Sequence, residues 1–190
     1  MARRKRIGVL ALQGDFEAHE KALERAGADA VEVRSKQQLR DIDALVIPGG
    51  ESTTMLKLLD SENMVEPLRE FGKSHPVFGT CAGAILVASE VSNPPQRSLG
   101  LVDIDVERNA YGRQLDSRIA RISGDGIDGD LEAVFIRAPI IRRVGEDAKV
   151  LARYGDDPVL VEQGKHLVAT FHPELTSDPR IHKMFLEKVS

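Results

Sequence analysis

The first two-thirds of the chain alternates short, wholly apolar runs with segments of helical periodicity, and this alternation restricts the fold more than any other feature of the sequence. The apolar runs cover residues 7–12, 30–33, 44–47 and 77–80, and helical segments lie at 16–26, 55–59 and 82–89. Asp15 is expected to cap the first helix and Gly27 to end it. Apolar runs of this length are typical of strands that are buried on both faces, and their alternation with helices predicts a parallel sheet with helices on both sides.

The pattern changes after Pro94-Pro95. Residues 102–107 alternate apolar and acidic side chains, which indicates a strand with one solvated face, and further strand patterns follow at 133–136, 149–153, 159–161 and 167–171. The short turn at 163–165 favours antiparallel hairpins here. A final helix is expected to have Asp178 as its cap and Pro179 as its first residue. We therefore predict a three-layer α/β/α sandwich (flavodoxin-like), with a mostly parallel central sheet and an antiparallel extension, in a single domain of residues 1–190.

The composition excludes several classes of protein. The chain has 190 residues, 42% of them hydrophobic and 29% charged, which suits one globular domain. Aromatic residues make up only 4%, and the net charge is −4 although Arg3, Arg4, Lys5 and Arg6 are all basic. An acidic chain poor in aromatic residues is not expected to bind nucleic acid. Its apolar runs are too short for a secretory signal or a membrane span, and one cysteine cannot form an internal disulfide, so we expect a cytoplasmic protein without a membrane partner.

The segment from Val77 to Ala84 carries the clearest chemical signal. It has a strand pattern, then Gly79-Thr80-Cys81-Ala82-Gly83, then a helix pattern. A nucleophile between two glycines on a tight strand-to-helix turn is the nucleophile-elbow arrangement, with sulfur in place of a serine hydroxyl. The N-terminus of a helix also favours a thiolate. By itself, a lone cysteine at a strand end is equally consistent with simple packing, so this interpretation needs a partner base.

His172 is the candidate base. It follows the strand pattern of residues 167–171 and precedes Pro173-Glu174. Because residues two apart in an extended segment point to the same side, Glu174 is expected to orient the imidazole of His172 and to support its positive charge. The remaining histidines are expected to be packing or exposed residues: His19, His75, His166 and His182.

A Gly-Gly pair at residues 49 and 50 follows the third strand pattern. Without side chains, backbone N–H groups of such a pair can point into a site, as acyl transfer requires at a developing oxyanion. We assign this role to the N–H groups of Gly50 and Ala82. An ordinary Ser/Thr helix cap is expected at the same place, because Ser52-Thr53-Thr54 follows.

Other kinds of site are not supported by the sequence. Residues 124–129 match the letters of the G-x-G-x-x-G dinucleotide motif, but they contain two aspartates and precede a strand rather than a helix, so we interpret them as an acidic turn. One cysteine and scattered histidines do not form a recognisable metal-binding pattern, and we predict no metal site.

The three chemical segments together resemble the class I (triad-type) glutamine amidotransferases, and more narrowly the family of glutaminase subunits of pyridoxal 5′-phosphate synthases. The leading Leu12-Gln13-Gly14-Asp15 and the segment 108–114 carry the narrower resemblance. The matching segments are residues 7–15, 48–54, 79–83, 108–114, 135–139 and 171–176.

The resemblance implies that Cys81 attacks the side-chain amide of L-glutamine, with His172 as base and acid and Glu174 orienting it. It further implies a glutamine pocket formed by Gly50, Glu51, Ser52, Arg108, Ile136 and Arg137. Such a pocket is chemically reasonable, because free glutamine carries an α-ammonium group and an α-carboxylate, which suit an acidic group and a guanidinium.

The resemblance also implies a partner. Ammonia would pass to a separate pyridoxal 5′-phosphate synthase subunit, which would activate the glutaminase in a large hetero-oligomer, with Gln13 near the activating contact. Pyridoxal 5′-phosphate is then the product of the complex, and no cofactor is expected in this chain. Two alternatives stay open: a glutaminase, or a related cysteine-elbow hydrolase, of another pathway, and a catalytically silent scaffold that only docks a partner.

Overall fold

The computed structural model describes residues 3–110 and 117–190. The described strands are β1 (Arg6–Leu10), β2 (Asp29–Val33), β3 (Ala44–Ile47), β4 (Val77–Thr80), β5 (Ala88–Ser92), β6 (Val102–Glu107), β7 (Ser117–Gly124), β8 (Ile127–Ile136), β9 (Ile140–Val144), β10 (Lys149–Tyr154), β11 (Asp157–Gln163) and β12 (His166–Ala169). The described α-helices are α1 (Phe16–Arg25), α2 (Ser52–Ser61), α3 (Val65–Ser74), α4 (Ala82–Val87) and α5 (Arg180–Glu187), and short 3-10 helices cover Lys36–Asp41 and Pro173–Leu175.

The main sheet has nine strands in the order β2-β1-β3-β4-β12-β11-β10-β7-β8. The five strands from β2 to β12 are parallel to one another, and the strands from β11 onward pair antiparallel. A smaller sheet has the order β5-β6-β9. The prediction of a parallel centre with an antiparallel extension is therefore confirmed.

Helices cover both faces of the parallel strands. On β3, Leu45 and Ile47 join a core with α2, α3, α4 and the smaller sheet, whereas Ala44 and Val46 join the opposite core with α1 and α5. This alternation explains why the strand is apolar at every position: each face has its own core to fill. The result is the predicted three-layer arrangement.

Several elements differ from the sequence predictions, and strands β7 and β9 are not among the predicted elements. The predicted elements also omit α3, although Val65, Leu68 and Phe71 recur at helical spacing on its buried face. Its Pro67 lies in the first turn, where a proline is tolerated because the backbone N–H has no partner there. The helix predicted to reach residue 89 ends at Val87, because Ala88–Ser92 pairs with β6 as a strand. The acidic turn predicted at 124–129 is shorter, because β8 already begins at Ile127.

The helix ends follow the sequence in part. Gly27 follows α1 with φ of 97°, as expected of a glycine that ends a helix. Asp15 precedes α1 but makes no side-chain capping hydrogen bond, contrary to the prediction. Asp178 accepts a hydrogen bond from the backbone N–H of Arg180 at 3.0 Å, although α5 begins at Arg180 and not at Pro179.

None of the helices in the described part of the chain is long and apolar enough to span a bilayer.

Candidate active site

Cys81 lies at the turn between β4 and α4, at the carboxyl end of the parallel strands. Its φ of 50° and ψ of −105° place it in a backbone conformation that residues other than glycine rarely adopt. The turn is fixed by a hydrogen bond from the Cys81 N–H to the carbonyl of Ala169, in the neighbouring strand β12. The predicted elbow is therefore present, with the strained backbone typical of a nucleophile position.

The two flanking glycines allow this turn to pack. A Cβ on Gly79 would lie 2.5 Å from the carbonyl oxygen of Gly83, and a Cβ on Gly83 would overlap the carbonyl oxygen of Ile47. Backbone atoms cannot move aside as a flexible side chain can. Glycine is required at both positions by the close approach of the chain.

His172 reaches the same place from β12. Its backbone N–H donates to the carbonyl of Val134 at 2.8 Å, and its Nδ1 lies 2.6 Å from Oε1 of Glu174. Gly49 allows the imidazole to approach, since a Cβ there would lie 2.5 Å from Cε1 of His172 and 3.3 Å from Cβ of Cys81. The structure thus brings the three predicted triad residues together, and His172 and Glu174 are both buried.

The local conformation around His172 differs from the prediction. Residues 173–175 form a 3-10 helix, not an extended segment, with Pro173 as its first residue. Proline suits the first position of a helix because its φ is already helical. The turn brings the Glu174 carboxylate back onto the imidazole, so the contact is as predicted but its geometry is not.

The charge state of His172 is set by its two neighbours. Burial disfavours the imidazolium, but hydrogen bonds and charge interactions with Cys81 and Glu174 outweigh burial and raise the pKa of His172 to about 10. At neutral pH the ring is therefore protonated, as required of the partner of a thiolate. Among the described residues, the imidazolium is thus the nearest positive charge to the Cys81 sulfur.

The candidate oxyanion donors lie beside the elbow. Ala82 is the first residue of α4, where a backbone N–H has no partner within the helix. The Gly50 N–H makes no hydrogen bond to a described residue, and the peptide is packed against residues 13–14. The side chain of Gln13 fixes the loop by accepting a hydrogen bond from the Glu51 N–H at 3.0 Å.

Four of the predicted pocket residues lie together at the start of α2. Glu51 caps this helix by accepting hydrogen bonds from the N–H groups of Thr53 and Thr54 at 3.0 and 2.7 Å, so the cap is Glu51 and not a Ser/Thr residue. Burial alone would oppose ionisation, but the hydrogen bonds from Thr54 and Thr53 lower the pKa of the Glu51 carboxyl. The Arg108 guanidinium donates to Oγ1 of Thr53 at 2.7 Å and lies 3.7 Å from the Glu51 carboxylate. Next to Glu51, Ser52 is buried.

The remaining pocket residues follow β8. The Ile136 carbonyl lies 3.6 Å from Sγ of Cys81, which as a thiol can donate to it. Arg137 comes next, with a strained φ of 45° and an exposed side chain that makes no ion pair with a described residue. Ile136 is thus placed beside Cys81, whereas no contact places the Arg137 side chain there. Residues 111–114 of the resembling segment lie outside the described residues.

Asp15 is a residue near the site that sequence reasoning missed. Its Oδ2 lies 3.6 Å from Nδ1 of His172. Asp15, His172 and Glu174 have ligand atoms within 4.8 Å of one another, a spacing that could hold a metal ion. A metal on Nδ1 of His172 would displace the proton that Glu174 accepts, so such binding and the triad hydrogen bond exclude each other.

His19 and His182 are packed in the interior, which is one of the two outcomes expected for them, and they also have polar partners. Both side chains are fully buried, and His19 Nδ1 lies 2.9 Å from His182 Nε2. The other ring nitrogen of His19 lies 3.0 Å from Oγ1 of Thr80 and 3.3 Å from Oε2 of Glu174. The sequence does carry a signal for this polar contact, because His19 lies on the apolar stripe of its helix and a buried polar ring needs polar partners.

Solved structures are similar to this chain over nearly its whole length. A structure described as "Crystal structure of glutamine amidotransferase" superposes with a TM-score of 0.91 at 50% identity and covers 96% of this chain and 98% of its own. PurLQS from Thermotoga maritima superposes with a TM-score of 0.73 at 15% identity, covering 99% of this chain and all of the other, and supports the fold alone. An α/β/α sandwich with a buried Cys–His–Glu group at the carboxyl ends of its parallel strands is the architecture of class I glutamine amidotransferases.

Sequence relatives narrow the class to a family. Residues 9–190 match the SNO glutamine amidotransferase family. The protein of Solibacter usitatus named pyridoxal 5′-phosphate synthase subunit PdxT is 61% identical over 191 residues, which cover 97% of this chain and 100% of that protein. The PdxT of Thermus thermophilus is 52% identical over 184 residues, 95% of this chain and 96% of the relative. The chain belongs to the SNO glutamine amidotransferase family, and the resemblance inferred from its motifs is confirmed.

Proposed function

We propose that this protein hydrolyses L-glutamine to L-glutamate and ammonia, and that it supplies the ammonia to a separate pyridoxal 5′-phosphate synthase subunit. The observation that carries the proposal is the convergence of Cys81, His172 and Glu174 at one edge of the sheet. The names of the relatives and the match to the glutamine amidotransferase family support the choice of substrate and partner.

In the first half of the proposed reaction, the Cys81 thiolate attacks the side-chain amide carbon of glutamine. The negative charge that develops on the carbonyl oxygen is stabilised by the N–H groups of Gly50 and Ala82. The His172 imidazolium gives its proton to the leaving nitrogen, so that the C–N bond breaks and ammonia departs. A glutamyl thioester on Cys81 and a neutral imidazole remain.

In the second half, His172 takes a proton from a water molecule, and the hydroxide attacks the thioester carbon. The same two N–H groups stabilise the second oxyanion, and the C–S bond breaks to release glutamate. The thiolate and the imidazolium are then restored. Glu174 keeps Nδ1 of the ring protonated and oriented throughout, as the carboxylate of a hydrolytic triad does.

The pocket is proposed to recognise the amino-acid end of glutamine. Arg108 is a suitable partner for the α-carboxylate and Glu51 for the α-ammonium group, with Gly50, Ser52, Ile136 and Arg137 completing the lining. The Arg108 guanidinium is held in place by Thr53, so little side-chain freedom is lost when it binds a carboxylate.

The wider setting is part of the same proposal. We place the protein in the cytoplasm, as a single glutaminase domain of residues 1–190 within a hetero-oligomer with the synthase subunit, without a membrane or nucleic-acid partner. The lone cysteine is consistent with the cytoplasm, because this compartment is reducing and keeps a free thiol from being oxidised.

The test is a glutaminase assay of the chain, of a candidate synthase subunit and of their mixture, using the wild type and Cys81→Ala. We expect ammonia release from the wild-type mixture and none above background from the Cys81→Ala mixture. An electrophilic glutamine analogue should label Cys81 in the wild type. His75→Gln, a change at a distant ring stacked on Phe71, is the matched control and should keep full activity.

Other outcomes distinguish the alternatives. Background activity in the wild-type mixture would favour a silent scaffold that only docks its partner. Glutaminase activity that responds to a different acceptor subunit would favour another amidotransferase pathway. Full activity of His172→Ala would favour a cysteine-elbow hydrolase that works without the His–Glu pair.

A further inference from the structure

A buried polar cluster lies directly behind the proposed triad. His19 from α1, Thr80 from β4 and His182 from α5 are all shielded from solvent. His19 contacts both of the others and approaches the carboxylate of Glu174 on the side away from His172. Oε1 of Glu174 faces His172 at 2.6 Å, and Oε2 lies 3.3 Å from Nε2 of His19. The proposed mechanism uses none of these three side chains.

Both histidines of this cluster are neutral at physiological pH. Burial, followed by the charges of His182 and His172, keeps the pKa of His19 well below its ordinary value. Burial, followed by the charge of Arg25, lowers the pKa of His182 to about 4. Each ring therefore has one N–H donor and one acceptor nitrogen, and the position of these protons decides what the cluster can do.

The hydrogen-bond requirements select one arrangement of the protons. Oε2 of Glu174 and Nδ1 of His182 have no hydrogen-bond partner among the described residues, although Nε2 of His19 lies 3.3 Å from that carboxylate oxygen. If His19 carried its proton on Nδ1, its Nε2 lone pair would face the Oε2 of Glu174, and His182 would bury an N–H on Nδ1 without an acceptor. A buried carboxylate oxygen facing a lone pair and an orphaned N–H are both costly.

The opposite arrangement removes both the facing lone pair and the orphaned N–H. His182 then donates from Nε2 to Nδ1 of His19, and His19 donates from Nε2 to Thr80 Oγ1. The same N–H lies on the side of Glu174 Oε2, with 3.3 Å between the nitrogen and the oxygen, so the carboxylate meets the positive end of an N–H dipole and not a lone pair. Of the two histidines, only His182 keeps an acceptor nitrogen without a partner, which is less costly than an unpaired donor.

We propose that His19 is a positioning residue for the catalytic carboxylate: its N–H, held in the required tautomer by His182, faces Oε2 of Glu174 and keeps this carboxylate oriented toward His172. This role rests on the proposed function, because it concerns the same triad. It also links α1 and α5 to the nucleophile turn, since Thr80 immediately precedes Cys81. Asp15 and Arg25 are the other charged residues near this cluster. The His19 backbone N–H donates to the Asp15 carbonyl at 3.4 Å, but neither charged side chain makes a hydrogen bond to the His19 ring.

The test compares His19→Phe, which keeps a planar ring without a donor, with His19→Gln, which returns an N–H close to the position of Nε2. In the glutaminase assay with the synthase subunit, we expect kcat of His19→Phe to fall about ten- to a hundredfold with KM within about twofold. His19→Gln should recover most of this loss. His166→Gln is the matched control, because His166 is also buried but bonds the Val77 N–H and not Glu174.

A second measurement does not depend on glutamine hydrolysis. Cys81 is the single cysteine of the chain, so the rate of its alkylation by iodoacetamide reports on this site alone. Without the His19 donor, the Glu174 carboxylate is held less firmly against Nδ1 of His172, and so it supports the imidazolium beside the Cys81 sulfur less well. We therefore expect the acid limb of the alkylation profile to move to higher pH in His19→Phe, and to return with His19→Gln.

The outcomes separate this inference from the proposed function. A folded His19→Phe with the wild-type kcat and the wild-type alkylation profile would overturn the role of His19. If the wild type itself does not hydrolyse glutamine, the proposed function fails, and the alkylation profile still decides the role of His19. Should His19→Phe not fold, His19→Met supplies a flexible apolar side chain without a donor, and the same shift of the acid limb is expected.

Discussion

At the scale of single residues, the charge of His172 links the proposed chemistry to stability. Its pKa of about 10 in the folded protein exceeds the ordinary value of about 6.5 that the unfolded chain has. The folded protein therefore holds a proton that the unfolded chain releases between these values. The resulting stabilisation is complete below pH 6.5 and is lost as the pH rises toward 10.

This gives a prediction for His172→Gln. We expect the free energy of unfolding of the wild type to fall as the pH rises from 6.5 to 10, and we expect this fall to be smaller in the variant because the titrating ring is gone. Urea denaturation of the wild type and of His172→Gln across this pH range measures both free energies of unfolding. Cys81→Ala should reduce the fall as well, since the hydrogen bond with Cys81 is the largest contribution that raises the pKa of His172. An identical pH dependence in wild type and His172→Gln contradicts the prediction.

At the scale of elements, the β4–α4 turn is the part of the site that sequence reasoning predicted best. Its signal is local, because Gly79 and Gly83 are required by backbone contacts within the turn and with β3. The strand bounds Val77–Thr80 and the position of Cys81 follow directly from the sequence. Because only glycine fits at two positions of this short segment, its sequence is compatible with few backbone conformations.

This close packing gives a second prediction, for Gly83→Ala. The added Cβ would overlap the Ile47 carbonyl, so either β3 or the turn must shift, and we expect a loss of about 3 kcal/mol in the free energy of unfolding together with loss of glutaminase activity. The control is Gly155→Ala, where φ is 59° but no heavy atom lies within 4 Å of the new Cβ, so that only backbone strain of about 1 kcal/mol is expected. Equal losses in urea denaturation would contradict the role of the close contact.

Some contacts within the site could not be predicted from local sequence patterns, for a physical reason. His19 and His182 are 163 residues apart, and Arg108 and Thr53 are 55 apart. Such contacts depend on how helices dock onto the sheet, which no local pattern records. The pairing of His172 with Glu174 could be predicted because it is local, but its 3-10 geometry required the packing of the whole loop.

At the scale of the whole molecule, two of the exposed hydrophobic side chains lie next to residues of the site. The large hydrophobic side chains that the described residues expose are Ile119, Ile136 and Leu175, with exposed fractions of 68%, 38% and 44%. Ile136 ends β8 next to Cys81, and Leu175 directly follows Glu174 in a 3-10 helix that contacts β8. An exposed apolar surface beside a reactive centre is typical of a docking site for a protein partner.

The last prediction therefore concerns Leu175→Asp in the proposed complex. A buried carboxylate facing a partner is costly, so we expect activation by the synthase subunit to require at least about tenfold more synthase. The rate of Cys81 alkylation in the isolated chain should stay within about twofold of the wild type, because Leu175 does not line the nucleophile turn. Lys165→Glu, in the turn at the amino end of β12 and away from the site, is the control and should be activated normally. The measurement is a titration of glutaminase activity against the synthase subunit. Unchanged activation of Leu175→Asp would exclude Leu175 from the docking interface.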